Sequence, residues 1–184
     1  MKTIQESINE ALDSENGISL ALKQRVAYIV LRACEWHTEP FGLLIILGWR
    51  EKRWQGFAVT PDRSQDIFRG RNIHQPAATG QRRIATTLDF DGAILIDDEG
   101  NILHSGVMIE GLRPREVAAR LNPGEFSDLS AQFGFKDKVH IRHLTAITAS
   151  YQFKGTTVFT VSEESGRIHV FEVGKIIYAS PKRK

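Results

Sequence analysis

The run Phe41-Gly42-Leu43-Leu44-Ile45-Ile46-Leu47 constrains this chain more than any other segment. It has no polar residue and no period of two, so as a strand it must be covered on both faces. It is also far shorter than the roughly 20 residues that span a bilayer. A strand of this kind needs a covering layer on each face.

The surrounding pattern supplies candidates for those layers. Ile4, Ile8 and Leu12 form one helical stripe, and Ile18, Leu22, Val26, Ile29, Val30 and Ala33 form a longer one. Asp13 to Gly17 separates them, which predicts that residues 1–16 make an appended amphipathic helix whose removal leaves the domain folded. Pro40 ends the second helix, because the residue before a proline is pushed out of the α region. Trp54 to Val59 reads as a return strand after the polar turn Arg50-Glu51-Lys52-Arg53. Gln81 to Leu88 suits a short helix. Ala93 to Ile96 and Ile102 to Ile109 form a hairpin about the turn residues Asp97 to Asn101. Arg113 to Leu121 suits a helix with Pro114 in its first turn. Asn122 to Lys138 reads as loop, and Arg142 to Phe153 as helix. Thr156 to Val161 and Ile168 to Val173 form a second hairpin, followed by Ile176 to Tyr178.

This order predicts an α/β (α+β) fold: a mixed central sheet flanked by helices, with one domain over 17–180 and a basic tail at 181–184. At 184 residues, one core of useful size is expected. A formal net charge of +2 is too small to bind nucleic acid by bulk electrostatics. The start of the chain has no apolar leader core, and a soluble, cytoplasmic protein is expected. Cys34, the one cysteine, lies among apolar residues and reads as a buried thiol. The six histidines show no zinc spacing, and no glycine-rich phosphate loop of the usual types is present.

Three short segments could carry chemistry. Lys136, Lys138, His140, Arg142 and His143 crowd the start of a helix. That is the positive end of the dipole, where cations cost stability unless an anion joins them. Asp91-Gly92-Ala93 sets a carboxylate at a strand edge beside a glycine that permits close backbone approach. Ser162-Glu163-Glu164 places two carboxylates at a strand tip, where magnesium on nucleotide phosphates could find protein ligands. Alone, each also reads as ordinary turn or surface chemistry. A fourth segment, residues 49–83, combines Trp49 and Trp54 with arginines 50, 53, 63, 69, 71, 82 and 83. It could offer single-stranded nucleic acid a surface, but tryptophans packed on the core beside a solvated basic loop are the favoured reading.

In order and spacing the three segments together resemble the DisA N-terminal family, the diadenylate cyclases. DGAILIDDEGNILHSGVMI (Asp91 to Ile109) resembles its DGA strand and hairpin, KVHIRHLTAIT its Arg-His-Arg segment, and TVFTVSEESGRIHVF (Thr157 to Phe171) its Ser-Glu-Glu strand. PFGLLIILG resembles the family's first core strand, and the likeness covers about residues 18–178. The resemblance implies condensation of two ATP to cyclic di-AMP and pyrophosphate, with Mg²⁺ or Mn²⁺, in a homo-oligomer whose active sites face each other. It implies that Asp91 binds metal and promotes attack by a ribose hydroxyl, and that Gly92, Ala93 and Ile109 lie against the nucleotide. Arg142, His143 and Ser162 would hold phosphates, and Glu163 and Glu164 would join Asp91 on the metal. Where the family reads Gly-Thr-Arg-His-Arg, this chain has His140-Ile141-Arg142-His143-Leu144. The alternative expectation is therefore a nucleotide-binding sensor that does not turn over.

Overall fold

The computed structural model describes residues 2–37, 39, 41–75 and 91–182. The short helix expected over Gln81 to Leu88 lies outside them, as do Arg82, Arg83 and the last two residues of the basic tail.

The apolar run forms β1 (Leu43–Leu47), buried along its whole length. Among the described residues it sits in the middle of a seven-stranded sheet. The other strands are β2 (Ala58–Val59), β3 (Ala93–Ile96), β4 (Ile102–Ile109), β5 (Thr157–Val161), β6 (Ile168–Glu172) and β7 (Lys175–Ala179). Their order is β2-β4-β3-β1-β5-β6-β7. β1 runs parallel to β3, with Ile45 opposite Ile94, and antiparallel to β5, with Leu43 opposite Val161. All other pairings are antiparallel, so the sheet is mixed.

The expected return strand takes a different course. Glu51–Trp54 is a helical turn, α3, followed by a 3-10 turn at Gln55–Phe57. Only Ala58 and Val59 are extended, and they pair with β4 rather than β1. Both sides of β1 are already taken by β3 and β5. Trp49 and Trp54 then turn inward, 1% and 5% exposed, and pack edge to face with ring centroids 5.5 Å apart. Phe153 lies against both. Neither indole is therefore on the surface for base stacking.

The pleat divides β1 between two cores. Leu43, Ile45 and Leu47 face a layer built by α1 (Ile4–Ala11) and α2 (Leu20–Trp36). Leu44 and Ile46 face the opposite core, which holds Trp49, Trp54 and Phe153. That side is covered by α4 (Pro114–Leu121) and α6 (Ile141–Gln152), with the short α5 (Leu129–Gln132) between them in the chain. Each fully buried large aliphatic side chain contributes about 1.5–3 kcal/mol, so the doubly covered strand is a main source of cohesion.

The first helix is bound into this structure more firmly than its sequence separation suggests. Ile8 and Leu12 are fully buried in the same core as α2 and the sheet. Behind them Lys23, with no exposed side-chain surface, meets Glu172 at 3.1 Å and donates to the Ser14 carbonyl at 2.8 Å. Glu172 also accepts from Thr157 at 2.6 Å, from Asn16 at 3.1 Å and from the Ser14 hydroxyl. A buried ion pair survives only when further hydrogen bonds satisfy it. Here those bonds come from Thr157 on β5 and from Ser14 and Asn16 in the Asp13–Gly17 break. Among the described residues no helix is long and apolar enough to cross a membrane.

Candidate active site

The sheet order explains how three distant segments meet. Because β1 and β3 are parallel, the residues preceding them, Gly42 and Asp91-Gly92, lie at the same edge. Because β5 is antiparallel to β1, its C-terminal end brings Ser162 and Glu163 to that edge too. The start of α6 lies beside them.

Arg142 joins these parts. One guanidinium nitrogen is 3.4 Å from Asp91 Oδ1, and the other terminal nitrogen is 3.5 Å from Glu163 Oε2. These are long contacts to well-exposed carboxylates, so they are worth little as ion pairs. Their value is positional: they hold the guanidinium between the two acids. Glu164 turns instead to His140, at 2.8 Å. At the strand entry Gly92 has φ +104°. A β-carbon there would meet the Gly106 carbonyl carbon at 2.6 Å and the Val107 nitrogen at 2.8 Å. Only glycine lets β3 start this close to β4.

The helix start has the polarity read from the sequence. His140 caps α6 without a side-chain hydrogen bond, and the first turn contains no acid. His143, 5% exposed, lies beneath Arg142 and packs edge to face on His169, with ring centroids 5.0 Å apart. Burial pushes His143 down to about 4, with His169, Arg142 and His140 adding repulsion. Burial and then Arg167 push His169 down to about 4 as well. Both rings are neutral near pH 7.

These groups line a cavity of about 820 Å³, within the range of sites for small molecules. Its apolar side comes from Leu44, Val107, Ile109, Leu112 and Pro114. Its polar side carries Asp91, Arg142, His143, Ser162, Glu163 and Glu164. Eight of the nine residues to which the family resemblance assigns a role thus border one space. Ala93 does not: its side chain is fully buried in the core below. Ser162 is held in its turn by its backbone, which donates to the Arg167 carbonyl and accepts from Gly166. Arg167, His169, Phe135 and Lys182 also line the cavity and were missed in the sequence. Arg167 and His169 could have been found from strand alternation, since β6 buries Ile168 and Val170 on the other face.

Among the described residues no three His, Cys, Asp or Glu side chains stand together as a metal cage. Asp91 and Glu163 flank Arg142 as a pair. A pair suffices for magnesium that keeps waters and phosphate oxygens in its shell.

No family model matches the chain, and no curated protein matches it. Solved structures do resemble it in fold. A hypothetical membrane spanning protein from Bacillus cereus superposes with a TM-score of 0.54 at 15% identity, covering 88% of this chain and 69% of its own. DacA from Staphylococcus aureus, solved as a double mutant, superposes with a TM-score of 0.50 at 17% identity, covering 85% and 84%. The mixed α/β fold is shared with DacA. At these identities the likeness is one of architecture.

Proposed function

We propose that this protein belongs with the diadenylate cyclases and condenses two ATP to cyclic di-AMP, releasing two pyrophosphates. The observation that carries the reading is the convergence of Asp91, Arg142 and Glu163 at one sheet edge, over a cavity with an apolar side for a base. The fold likeness to DacA supports it. In each half-reaction a ribose 3′-hydroxyl oxygen bonds to the α-phosphorus of the other ATP, the hydroxyl loses its proton and pyrophosphate departs. Asp91, exposed at the cavity edge, orients that hydroxyl and draws on its proton. Arg142 moves from the two carboxylates to the phosphates, a stronger charge-assisted partner. Ser162 meets the phosphate end, and Leu44 and Ile109 hold the base. Mg²⁺ or Mn²⁺, held by Asp91 and Glu163 with Glu164 beside them, would neutralise charge on the phosphates. Two reacting ATP molecules require two sites face to face, hence a homo-oligomer.

A second reading, a nucleotide sensor without turnover, is favoured by Leu144. It packs against the core, so this turn of α6 presents a single guanidinium. Loss of one preorganised cation typically costs about 3–4 kcal/mol of transition-state stabilisation.

Incubating the full chain with ATP and Mg²⁺ or Mn²⁺, then separating the products, tests both readings. Cyclic di-AMP that disappears in Asp91→Asn supports the cyclase. Tight ATP binding by calorimetry without cyclic product supports the sensor. Absence of nucleotide binding sinks both.

A further inference from the structure

The cavity contains a second charged group, which the proposed chemistry at Asp91 and Arg142 leaves unused. Asp137 Oδ2 accepts from Arg167 Nη1 at 2.9 Å and lies 3.6 Å from Lys182 Nζ. One carboxylate oxygen therefore faces two cations. Lys136 and Lys138, on either side of Asp137 in the chain, line the same cavity. The Arg167 side chain is only 25% exposed, and its buried Nε has no hydrogen-bond partner among the described residues.

The charges of the cavity are thus sorted. Two carboxylates, Asp91 and Glu163, flank the one guanidinium of Arg142, and a third, Glu164, pairs with His140 beside them. At Asp137 the balance reverses among the described residues: Arg167 and Lys182 meet one carboxylate, and Lys136 and Lys138 line the same cavity. A polyanion entering the cavity is repelled from the first group unless a metal accompanies it, and attracted to the second. Arginine suits this task, since its planar fork grips phosphate oxygens and remains charged.

We propose that Arg167 and Lys182, arrayed on Asp137, form an anion subsite that takes the distal phosphates of a bound nucleoside triphosphate. This rests on the nucleotide reading of the cavity and adds an orientation to it: the β- and γ-phosphates point to the β5–β6 turn and the segment after β7, while the α-phosphate stays with Arg142. The subsite is built from three separate segments, and its output is selectivity for triphosphate over monophosphate. Asp137 holds the two cations in place and is a positioning residue.

The test is calorimetry on the full chain with ATP, AMP and inorganic triphosphate, for wild type, Arg167→Gln and Lys182→Gln. Arg167→Gln is expected to weaken ATP and inorganic triphosphate by about 10-fold or more, the loss of one charge-assisted contact. AMP binding should be unchanged. Lys182→Gln, at a 60% exposed side chain that can be replaced without disturbing the core, should act in the same direction and more weakly. Equal losses for ATP and AMP, or no loss for either, would overturn the subsite while leaving the nucleotide reading intact. Arg167-dependent binding of inorganic triphosphate without binding of ATP would do the opposite. Binding of none of the three by wild type overturns both.

Discussion

Gly42 lies directly against the guanidinium of Arg142: a β-carbon at Gly42 would fall 1.9 Å from Nη1. The glycine just before the central strand therefore clears the space in which the arginine crosses from Asp91 to Glu163.

Gly42→Ala should consequently act on the site and spare the fold. The clash is with the mobile end of a long side chain, so melting temperature should change little. The displaced guanidinium should lower ATP affinity by about 10-fold, the worth of one charge-assisted contact. A thermal melt and an ATP titration on one preparation check this. Unchanged affinity would mean that Arg142 does not hold phosphate.

The buried histidine pair predicts an acid-sensitive core. His143 and His169 are both lowered from 6.5 to about 4 in the folded protein. An unfolded chain takes up these protons at higher pH than the folded one. Their contribution is therefore fully present above about pH 6.5 and is lost as pH falls toward 4. At about 1.4 kcal/mol per pKa unit, the loss is on the order of 3 kcal/mol for each ring. Urea midpoints between pH 7 and 4 should drop steeply in wild type. They should flatten in His169→Phe, whose new ring suits its neighbours Phe135 and Phe171.

Deleting residues 1–16 should cost substantial stability. The deletion removes the fully buried Ile8 and Leu12 and strips Ser14 and Asn16 from the Lys23–Glu172 pair. Lys23→Ala breaks the same pair directly: leaving Glu172 buried without its cation should cost about 3–5 kcal/mol. Calorimetric melts of both variants measure this. A truncated chain melting near wild type would show that the first helix is an appendage after all.

The β6–β7 turn is suboptimal and can be improved. Val173 has φ +52° and is 57% exposed, next to Gly174 at φ +72°. Two successive residues with positive φ suit an Asn-Gly turn, and a β-branched residue is strained there. Val173→Asn should stabilise the protein by about 1 kcal/mol, raising Tm by about 2–4 °C. A lowered Tm would mean that the valine makes contacts worth more than its strain.

The parts of the fold that were legible in the sequence are those governed by local pattern. Ala93 to Ile96, Asp97 to Asn101 and Ile102 to Ile109 combine strand periodicity with turn chemistry, and they form the hairpin expected. Trp54 to Val59 combines two aromatics with the β-branched Val59 but depends on a neighbour. Since β3 and β5 occupy both edges of β1, the segment coils and only Ala58 and Val59 extend. The approximate position of Arg142 at a helix start was readable from the charges around it. Its suspension between Asp91 and Glu163 was not, because those contacts span 51 and 21 residues. Ala93 was assigned to the ligand by its place in a motif, but the pleat turns it into the core. Arg167 was hidden for a similar reason: a lone arginine after a hairpin turn looks solvated until a loop thirty residues upstream supplies Asp137.

The central place of β1 also has a bearing on biosynthesis. The strand at 43–47 finds its first partner only at 93–96 and its second at 157–161, while the nearest strand in the chain pairs elsewhere. A nascent chain leaving the ribosome must carry its most apolar segment unpaired until about half of the polypeptide has been made, and with one side open until β5 follows. Such non-local pairing slows folding and prolongs exposure of an aggregation-prone edge. The same arrangement that gathers distant residues at one sheet edge thus makes the newborn chain a natural client for chaperones.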